Sequence, residues 1–194
     1  MELTALDPAT TALVVIDLQR GILARDTAPY PSGDVLARSV RLAEACRAAG
    51  ATVVLVKVGF LEDERDRLAP PADSPNPPGK VPAGYSDLDP ALGPAPGDIL
   101  VTKRQWGAFY GTQLDLQLRR RGIRTIILCG ISTNFGVEST ARDAWERNYA
   151  LVFAEDAMTG LSAGAHEFAV STIFPRLGRV RSTARIMAAL GTRT

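Results

Sequence analysis

Apolar residues occur along this chain in short unbroken runs, and segments with a helical period lie between the runs. A run such as TALVVID, at residues 11–17, is too continuous for a strand with one face in water, so it predicts a strand buried on both faces. The runs predict strands at residues 11–17, 51–58, 99–102, 124–129, 149–154 and 178–181.

Apolar side chains that recur every three or four residues predict helices between these strands. Asp34 is expected to cap a helix that ends before Gly50, and Thr112 with Asp115 to form a capping box for a helix that stops at Gly122. Further helices are predicted at residues 135–148, 166–174 and 183–190. The predicted inward-facing residues are Leu36, Val40, Ala43 and Cys46, then Leu114 and Leu118, then Val137, Ala141, Ala144 and Trp145.

Strands that alternate with helices predict a parallel sheet with helices on both faces, which is an α/β fold, here as one domain over residues 1–194. In such sheets, ligands bind beyond the carboxyl ends of the strands, where the strand order reverses. The positions to consider are therefore Asp17 and residues 57–60, 103–110, 130–136 and 155–156.

Residues 59–97 interrupt this alternation, because nine of the 13 prolines lie between Pro70 and Pro96 and no helix or strand period persists there. So long an irregular loop within a domain is uncommon unless it has a function. The segment follows the second predicted strand, so it emerges on the ligand side of the sheet. We expect a lid or an oligomer contact there, and not a linker between domains.

Composition narrows the class of protein. A net charge of +1 gives no general attraction to nucleic acid or to an anionic membrane. Two cysteines and one histidine exclude a disulfide scaffold, a four-cysteine zinc site and any site with two histidines. The first residues lack the features of a signal peptide, and no apolar run approaches about 18 residues, so we expect a cytoplasmic protein without metal or cofactor.

Two charged residues stand at the ends of predicted strands, Asp17 after the first and Lys103 after the third. With a strand order of 3-2-1-4 they would lie two strands apart, roughly 10 Å at about 4.8 Å per strand, and their side chains could converge above the second strand. A nearby ammonium group favours the charged carboxylate whereas burial opposes it, and such opposed effects set the pKa of acid–base groups. By its position alone, Asp17 is equally compatible with a helix cap or a solvated strand end.

Residues 130–136, GISTNFG, lead from the fourth predicted strand into a helix. Their backbone N–H groups would then lie at a helix N-terminus, where an anion or an oxyanion can bind. An ordinary strand–helix turn with Ser132, Thr133 or Asn134 as the cap explains the same sequence, and for this segment taken alone it is the preferred interpretation.

Other candidate nucleophiles are weaker. GLSAG, at residues 160–164, matches the nucleophile-elbow pattern, but no strand directly precedes it and His166 follows too closely to be the partner base. We interpret His166 as a residue near a helix start. Cys46 and Cys129 lie on inward-facing or apolar stretches, so we interpret both as small buried hydrophobic residues.

Three segments taken together resemble the isochorismatase-like, or cysteine hydrolase, superfamily. They are ALVVIDLQ at 12–19, KRQWGAFYGTQLDLQLRRRGI at 103–123 and LCGISTNFGVESTARDA at 128–144. The resemblance covers nearly the whole chain and implies a three-layer α/β/α, Rossmann-like fold with a six-stranded parallel sheet in the order 3-2-1-4-5-6. It also implies a homodimer or a larger homo-oligomer.

Amidase members of this superfamily use an aspartate, a lysine and a cysteine. Asp17 and Lys103 match the first two, but Gly136 stands at the cysteine position, and Cys129 lies seven residues earlier within a strand. A glycine cannot act as a covalent nucleophile, so the thioester route of these amidases is excluded. The sequence is most similar to a bacterial subgroup that shares KRQWGAFYGT and GISTN-x-GVESTAR and has glycine at this position.

Isochorismatases themselves also resemble this chain in having glycine there. They hydrolyse a vinyl ether with the aspartate as general acid and water as nucleophile. This sequence departs from them at Gln105, where an arginine is expected to meet the substrate carboxylate, and Arg104 is displaced by one residue. The resemblance further implies a cis peptide between Ile131 and Ser132 that aims the N–H groups of Ser132 and Gly136 at an oxyanion.

These observations predict a hydrolase that cleaves a vinyl-ether or C–N bond of a small molecule without a covalent cysteine intermediate. Asp17 would be the general acid/base, Lys103 would position the substrate and tune Asp17, and the Ser132 and Gly136 amides would hold negative charge. The residues predicted to contact the substrate are Gln19, Arg104, Gln105, Trp106, Phe109, Tyr110, Thr133 and Asn134.

A second hypothesis is a catalytically silent small-molecule-binding or assembly protein that descends from a cysteine hydrolase. The missing nucleophile supports it, and the retention of Asp17 and Lys103 weakens it. A third is residual amidase chemistry with water alone, for which Gly136→Cys is the test.

Overall fold

The structure is a computed structural model that describes residues 5–75 and 79–191, so part of the 59–97 segment and both chain ends lie outside the described residues. Its centre is one sheet of strands β1 (Thr11–Ile16), β2 (Thr52–Val58), β3 (Ile99–Lys103), β4 (Thr125–Ile131), β5 (Ala150–Thr159) and β6 (Gly178–Arg181). All neighbours pair in parallel, in the order β3-β2-β1-β4-β5-β6. The predicted sheet and its order are therefore confirmed.

Helices cover both faces of this sheet, as the alternation of elements predicts. They are α1 (Arg20–Leu23), α2 (Ser32–Ala49), α3 (Leu114–Arg120), α4 (Glu138–Glu146), α5 (Ala163–Phe168), α6 (Phe174–Leu177) and α7 (Thr183–Gly191). Two wider, π-helical segments, Thr133–Val137 and Ala169–Ile173, lead into α4 and α6.

The core consists of two apolar layers, one on each face of the sheet. Leu13 and Val15 of β1 pack in the layer beneath α2 and α7, whereas Val14 packs in the layer beneath α3, α4 and α6. In the second layer, the rings of Phe153 and Phe174 stack 4.1 Å apart. Every residue of β1 is buried, so the strand has no face in water. This confirms the prediction made from its unbroken apolar run.

The helix α2 begins at a different residue from the one predicted. α2 begins at Ser32, so Asp34 lies in its first turn and does not cap it. The first half of its buried stripe is displaced by one residue, because Val35 and Ser39 are buried whereas Leu36 and Val40 lie only at the margin of the core. Ala43 and Cys46 are buried, as predicted. Gly50 ends the helix with a left-handed φ of 83°, as predicted.

The expected capping box before α3 is absent. The Thr112 hydroxyl accepts a hydrogen bond from the amide of Leu114, at 3.1 Å, but the carboxylate of Asp115 accepts one from the Tyr149 hydroxyl, at 2.8 Å. Asp115 therefore contacts the residue directly before β5 and does not accept from the backbone of its own helix. Leu114 and Leu118 are buried, as predicted.

The helix predicted at 135–148 is shorter in the structure, because the π-helical segment occupies its start and α4 ends at Glu146. Val137, Ala141 and Ala144 are buried, but Trp145 is 53% exposed, so its assignment to the inward stripe was wrong. Residue 145 lies about 100° further round the helix than residue 144, at the border of the stripe.

Strands β4 and β5 run further toward their carboxyl ends than predicted. β4 includes Gly130, whose φ is 117°, and β5 continues to Thr159, with an irregularity in its pairing with β4 between Phe153 and Met158. A Cβ on Gly130 would lie 2.1 Å from the carbonyl oxygen of Ile16. Only glycine fits there, since β1 approaches β4 closely at the edge where the site lies.

The segment 59–97 contains one short 3₁₀ turn, Pro90–Leu92, among its described residues. Residues 84–89 are bonded to the end of β1: Arg20 donates to Asp87 O at 2.8 Å, and Asp89 donates to Leu18 O at 3.1 Å. This part of the segment forms a wall, the fixed wall, beside the sheet edge. The lid and the oligomer contact both stay predictions for the segment as a whole.

Within residues 5–75 and 79–191, no helix combines the length and the apolar character that crossing a bilayer requires.

Candidate active site

A buried ion pair forms at the carboxyl edge of the sheet. Asp17 follows β1 in a left-handed conformation, with φ at 53°, and Lys103 is the last residue of β3. Their side chains cross over β2, and Lys103 Nζ donates to Asp17 Oδ2 at 2.7 Å. Asp17 is 5% exposed and Lys103 is 2% exposed. The structure thus brings together the two charged residues that the sequence placed at strand ends two strands apart.

Each partner of this pair retains unused hydrogen-bonding capacity. Lys103 Nζ also donates to the Gln105 carbonyl at 3.0 Å, which leaves one N–H without a partner in the described part of the chain. Asp17 Oδ1 is buried and likewise has no partner among the described residues. A buried acceptor without a donor is costly, by about 1–3 kcal/mol. The pair therefore offers one acceptor and one donor to a small polar molecule.

Burial dominates the acidity of Asp17. It raises the pKa of the carboxyl group from 3.8 to about 6, although the charge of Lys103, its hydrogen bond and the Val58 backbone lower it. A carboxyl group with this pKa is mostly ionised at neutral pH but keeps a sizeable protonated fraction. Both forms needed for proton transfer are therefore accessible.

Gly136 faces this ion pair. A Cβ at residue 136 would lie 3.2 Å from Asp17 Oδ2 and 2.9 Å from Cγ2 of Ile16, so any side chain there would stand against the carboxylate. The Gly136 carbonyl accepts from the Thr140 hydroxyl at 2.7 Å, and that hydroxyl accepts from the Ala108 amide at 3.2 Å. Thr140 thus connects the loop after β3 to the turn after β4.

The turn itself has the backbone that the resemblance implies. The peptide bond between Ile131 and Ser132 is cis. The Ser132 carbonyl accepts from the amides of Phe135 and Val137, at 3.2 and 3.1 Å, so the turn curls back on its first residue. Gly136 lies between these two donors in the chain.

Neither cysteine belongs to the site. Cys46 and Cys129 are fully buried in the core layer beneath α2. Burial raises the pKa of each thiol to about 12. Thiolate chemistry is therefore unavailable to the ion pair, as the interpretation of both cysteines as hydrophobic residues predicts.

The side-chain amide of Gln19 is engaged in hydrogen bonds to the backbone around the site. Its side chain is fully buried, Nε2 donates to the carbonyls of Val58 and Tyr85 at 2.9 Å, and Oε1 accepts from the Val58 amide at 2.8 Å. Gln19 therefore ties the ends of β1 and β2 to the fixed wall. A substrate contact was predicted for it, but these bonds occupy most of its amide.

Tyr85 is a neighbour of the site that the sequence analysis missed, because it lies in the irregular segment. Its ring covers Gly21, where a Cβ would lie 2.0 Å from the ring carbon Cδ2. Burial raises the pKa of the Tyr85 hydroxyl, Arg25 lowers it, and the charge of Asp17 raises it further. The fixed wall thus presents an aromatic side chain within electrostatic reach of Asp17.

Two predicted substrate contacts after β3 are engaged with the protein. Arg104 forms an ion pair with Asp66 and donates to the Gly59 carbonyl. Gln105 Nε2 donates to the carbonyls of Gly107 and Tyr110, at 2.9 and 2.8 Å. Both side chains shape the loop, so neither is presented as a free anchor for a substrate carboxylate.

The aromatic residues of the same loop diverge. Trp106 is 61% exposed and contacts the Phe135 ring at 4.9 Å, and Tyr110 is 78% exposed. Phe109 is buried, 6.0 Å from the Tyr149 ring and beneath Arg147. Tyr149 precedes β5, so Phe109 points toward the opposite edge of the sheet and away from the ion pair.

Thr133 and Asn134 face the β5 side of the turn. The Thr133 hydroxyl lies 2.8 Å from Nδ1 of His166, and both residues are buried. Asn134 Oδ1 is buried without a partner in the described ranges, near Gly160. Nothing in the sequence pattern indicated the link to His166, because a contact over 33 residues depends on the packing of α5 against the turn.

The GLSAG segment has a structural role. Ser162 Oγ accepts from the Ala165 amide at 3.4 Å and so caps α5. Among the described residues, no three His, Cys, Asp or Glu side chains come close enough to hold a metal ion.

Known proteins align with the chain over nearly its full length. The sequence model of the Isochorismatase domain matches residues 11–185. The isochorismatase family protein YecD of Escherichia coli O157:H7 is 52% identical over 185 residues, 95% of this chain and 98% of that protein. The ureidoacrylate amidohydrolase RutB of Methylobacterium radiotolerans is 34% identical over an alignment of 217 residues, with 96% of this chain and 82% of that protein covered.

A solved structure also aligns with this chain over nearly its full length. An isochorismatase family protein from Burkholderia thailandensis superposes with a TM-score of 0.93 and 48% identity, over 97% of this chain and 98% of that one. Residues 11–185, which the family model matches, contain the whole sheet, the ion pair and the turn with Gly136. The chain belongs to the isochorismatase family.

Proposed function

We propose that this chain hydrolyses a C–N bond of a small molecule with water as the nucleophile and Asp17 as the general acid/base. The observation that carries the proposal is the buried Asp17 Oδ1, which has no partner in the described part of the chain and belongs to a carboxyl group with a pKa of about 6. Members of the family are hydrolases, and the relative RutB is an amidohydrolase by name.

Water is the nucleophile in this proposal because no thiol lies at the site among the described residues. Gly136 stands next to the carboxylate, and both thiols are in the core. Ionised Asp17 would take a proton from water as the water oxygen bonds to the carbonyl carbon, and would return that proton to the leaving nitrogen. The free N–H of Lys103 and the amides of Ser132 and Gly136 would stabilise the oxyanion.

A screen of small amides and ureides against the wild type, with vinyl ethers as the competing class, tests the proposal. Asp17→Asn should lower turnover by at least about 10²-fold on any substrate found, since general acid–base catalysis typically contributes about 10²–10⁴-fold. Asp73→Asn, which removes an exposed carboxylate, is the matched control and should retain full turnover. Unchanged turnover of the folded Asp17→Asn variant would eliminate the assigned role.

The pH profile distinguishes the two directions of proton transfer. If Asp17 acts first as a base, kcat/KM should rise with pH through about 6, because the ionised form is required. A fall through about 6 would identify Asp17 as an initial acid and would favour a vinyl ether. Ligand-induced stabilisation without any turnover would favour the alternative of a silent binding protein.

A further inference from the structure

The only histidine in the chain is buried behind the turn that carries Gly136. His166 lies in α5 and is 4% exposed, and its Nδ1 is 2.8 Å from the hydroxyl of Thr133, which is fully buried. Thr133 is the first residue of the π-helical segment Thr133–Val137. A buried side-chain hydrogen bond therefore joins α5 to the segment that faces Asp17.

We propose that His166 is a positioning residue, which holds the 132–137 turn in register with the Asp17–Lys103 pair through its bond to Thr133. The catalytic consequence of this inference rests on the proposed function, because it concerns the same site. The positional consequence does not, and each can be measured separately.

The carbonyls of Ser132 and Gly136 accept hydrogen bonds from residues that follow them closely in the chain. Ser132 O accepts from Phe135 and Val137, and Gly136 O accepts from Thr140, which is four residues later. The bonds to Ser132 O define the shape of the turn, and Thr140, which also accepts from the Ala108 amide, connects it to the loop after β3. The imidazole of His166 bonds it from a different element, 33 residues away in the chain.

The imidazole is itself held by a rigid neighbour. Its ring packs edge-on against the Tyr30 ring, with centroids 5.8 Å apart. Tyr30 is bonded through its backbone to the Thr159 hydroxyl, at 3.2 and 2.9 Å, and Ala28 exchanges two backbone hydrogen bonds with Gly160. Through Tyr30, these bonds hold His166 in place relative to the carboxyl end of β5. That strand pairs with β4, from which the turn follows.

The protonation state suits this role. Burial lowers the pKa of His166 below its ordinary value of 6.5, and the charge of Glu167 opposes this only partly. A neutral imidazole has one donor and one acceptor nitrogen, so Nδ1 can accept from the Thr133 hydroxyl without a buried charge. Leucine or phenylalanine would fill the same space but leave that hydroxyl without a partner.

Small shifts of the turn would matter to the site because a Cβ at residue 136 would lie only 3.2 Å from Asp17 Oδ2. A misplacement of about 1 Å in an active site costs on the order of 10²-fold in rate. Loss of the bond should therefore lower kcat by about 10- to 100-fold and leave KM within about threefold, since the groups that bind the substrate remain.

Four variants separate positioning from packing. His166→Leu removes the bond and retains apolar volume, and Thr133→Val removes the hydroxyl at nearly constant shape, so the second remains informative if the first fails to fold. His166→Asn places an amide near the Nδ1 position and should rescue. Tyr30→Phe is the matched control, because it keeps the ring against His166 and removes only a hydroxyl that bonds Glu155 at 3.4 Å.

The primary measurement is backbone amide NMR of the wild type and the variants. Amides of residues 132–137 should shift and exchange faster in His166→Leu and Thr133→Val, and should return toward wild-type values in His166→Asn. Turn amides that stay unchanged in a folded Thr133→Val protein would overturn the inference.

The second measurement is kcat and KM on a substrate that the wild type hydrolyses. A fall in kcat with constant KM, rescued by His166→Asn, supports positioning. Wild-type kcat in Thr133→Val overturns it even if stability falls, because that outcome describes a merely structural residue. If the wild type hydrolyses nothing, the proposed function fails, and the NMR result alone decides the position of the turn.

Discussion

Replacing Asp17 and Lys103 together tests the buried carboxyl group without any knowledge of the substrate. The double variant Asp17→Asn/Lys103→Met removes both charges at once, so no buried lysine is left without its partner. In the wild type, Lys103 Nζ lies 2.7 Å from the carboxylate, yet burial raises the pKa of Asp17 from 3.8 to about 6. The unfolded chain titrates at the ordinary value, so folding and protonation are linked.

The linkage has a definite sign. A folded state that binds a proton more tightly than the unfolded chain loses stability as the pH rises between the two pKa values. The full effect is roughly 3 kcal/mol, of which about 2.5 kcal/mol falls between pH 4 and pH 7. The free energy of unfolding of the wild type should decrease by that amount relative to the double variant over this range.

Urea denaturation followed by circular dichroism, at steps of half a pH unit, measures this difference directly. Asp73→Asn serves as the control for removing an exposed carboxylate, and its difference from the wild type should show no such step. A wild-type-minus-variant difference that stays constant within about 0.5 kcal/mol would refute the raised pKa of Asp17. The acid–base argument for this carboxyl group would then lose its physical basis.

The remaining predictions concern the glycines and the thiols. Gly136→Ala should lower the free energy of unfolding by about 1–3 kcal/mol, because its Cβ would lie 2.9 Å from Cγ2 of Ile16. Gly136→Cys should destabilise similarly in denaturation, and amidase turnover that Gly136→Ala lacks would reveal an otherwise intact amidase site. Gly130→Ala should prevent folding or lower the free energy of unfolding by more than about 3 kcal/mol, since its Cβ would lie 2.1 Å from a β1 carbonyl oxygen. The control Gly33→Ala should leave stability unchanged or raise it, because a Cβ there would have nothing within 4 Å. Both thiols should resist a disulfide reagent in the native protein and react fully in denaturant; rapid native labelling would contradict their burial and pKa values of about 12.

Much of the fold was predictable because it depends on local pattern. The run at β1 is apolar without interruption, and a strand between two others beneath two helical layers has no face in water. Helix boundaries were less predictable, since Asp34 and Asp115 are both plausible caps and neither acts as one. Asp115 instead contacts Tyr149, a partner 34 residues away that no local rule indicates.

Candidate site residues divide in the same way. Asp17 and Lys103 were recognisable as charged residues at the ends of buried strands, and strand order alone places them within reach of each other. The roles of Gln19, Gln105 and Thr133 were not recognisable, because polar side chains of these types bond to whatever backbone or side chain packs nearest.

By itself, the sequence determined the class of fold, the strand order through family resemblance, and the absence of a thiol at the position that faces Asp17. These are properties of apolar periodicity and of motif register, which the linear chain contains completely. Only the tertiary structure decided that Asp17 is buried with one oxygen unpartnered, that Phe109 points away from it, and that His166 supports the turn. The physical reason is that desolvation and long-range hydrogen bonds depend on which surfaces meet, and a pKa of about 6 exists only once those surfaces have closed around the carboxyl group.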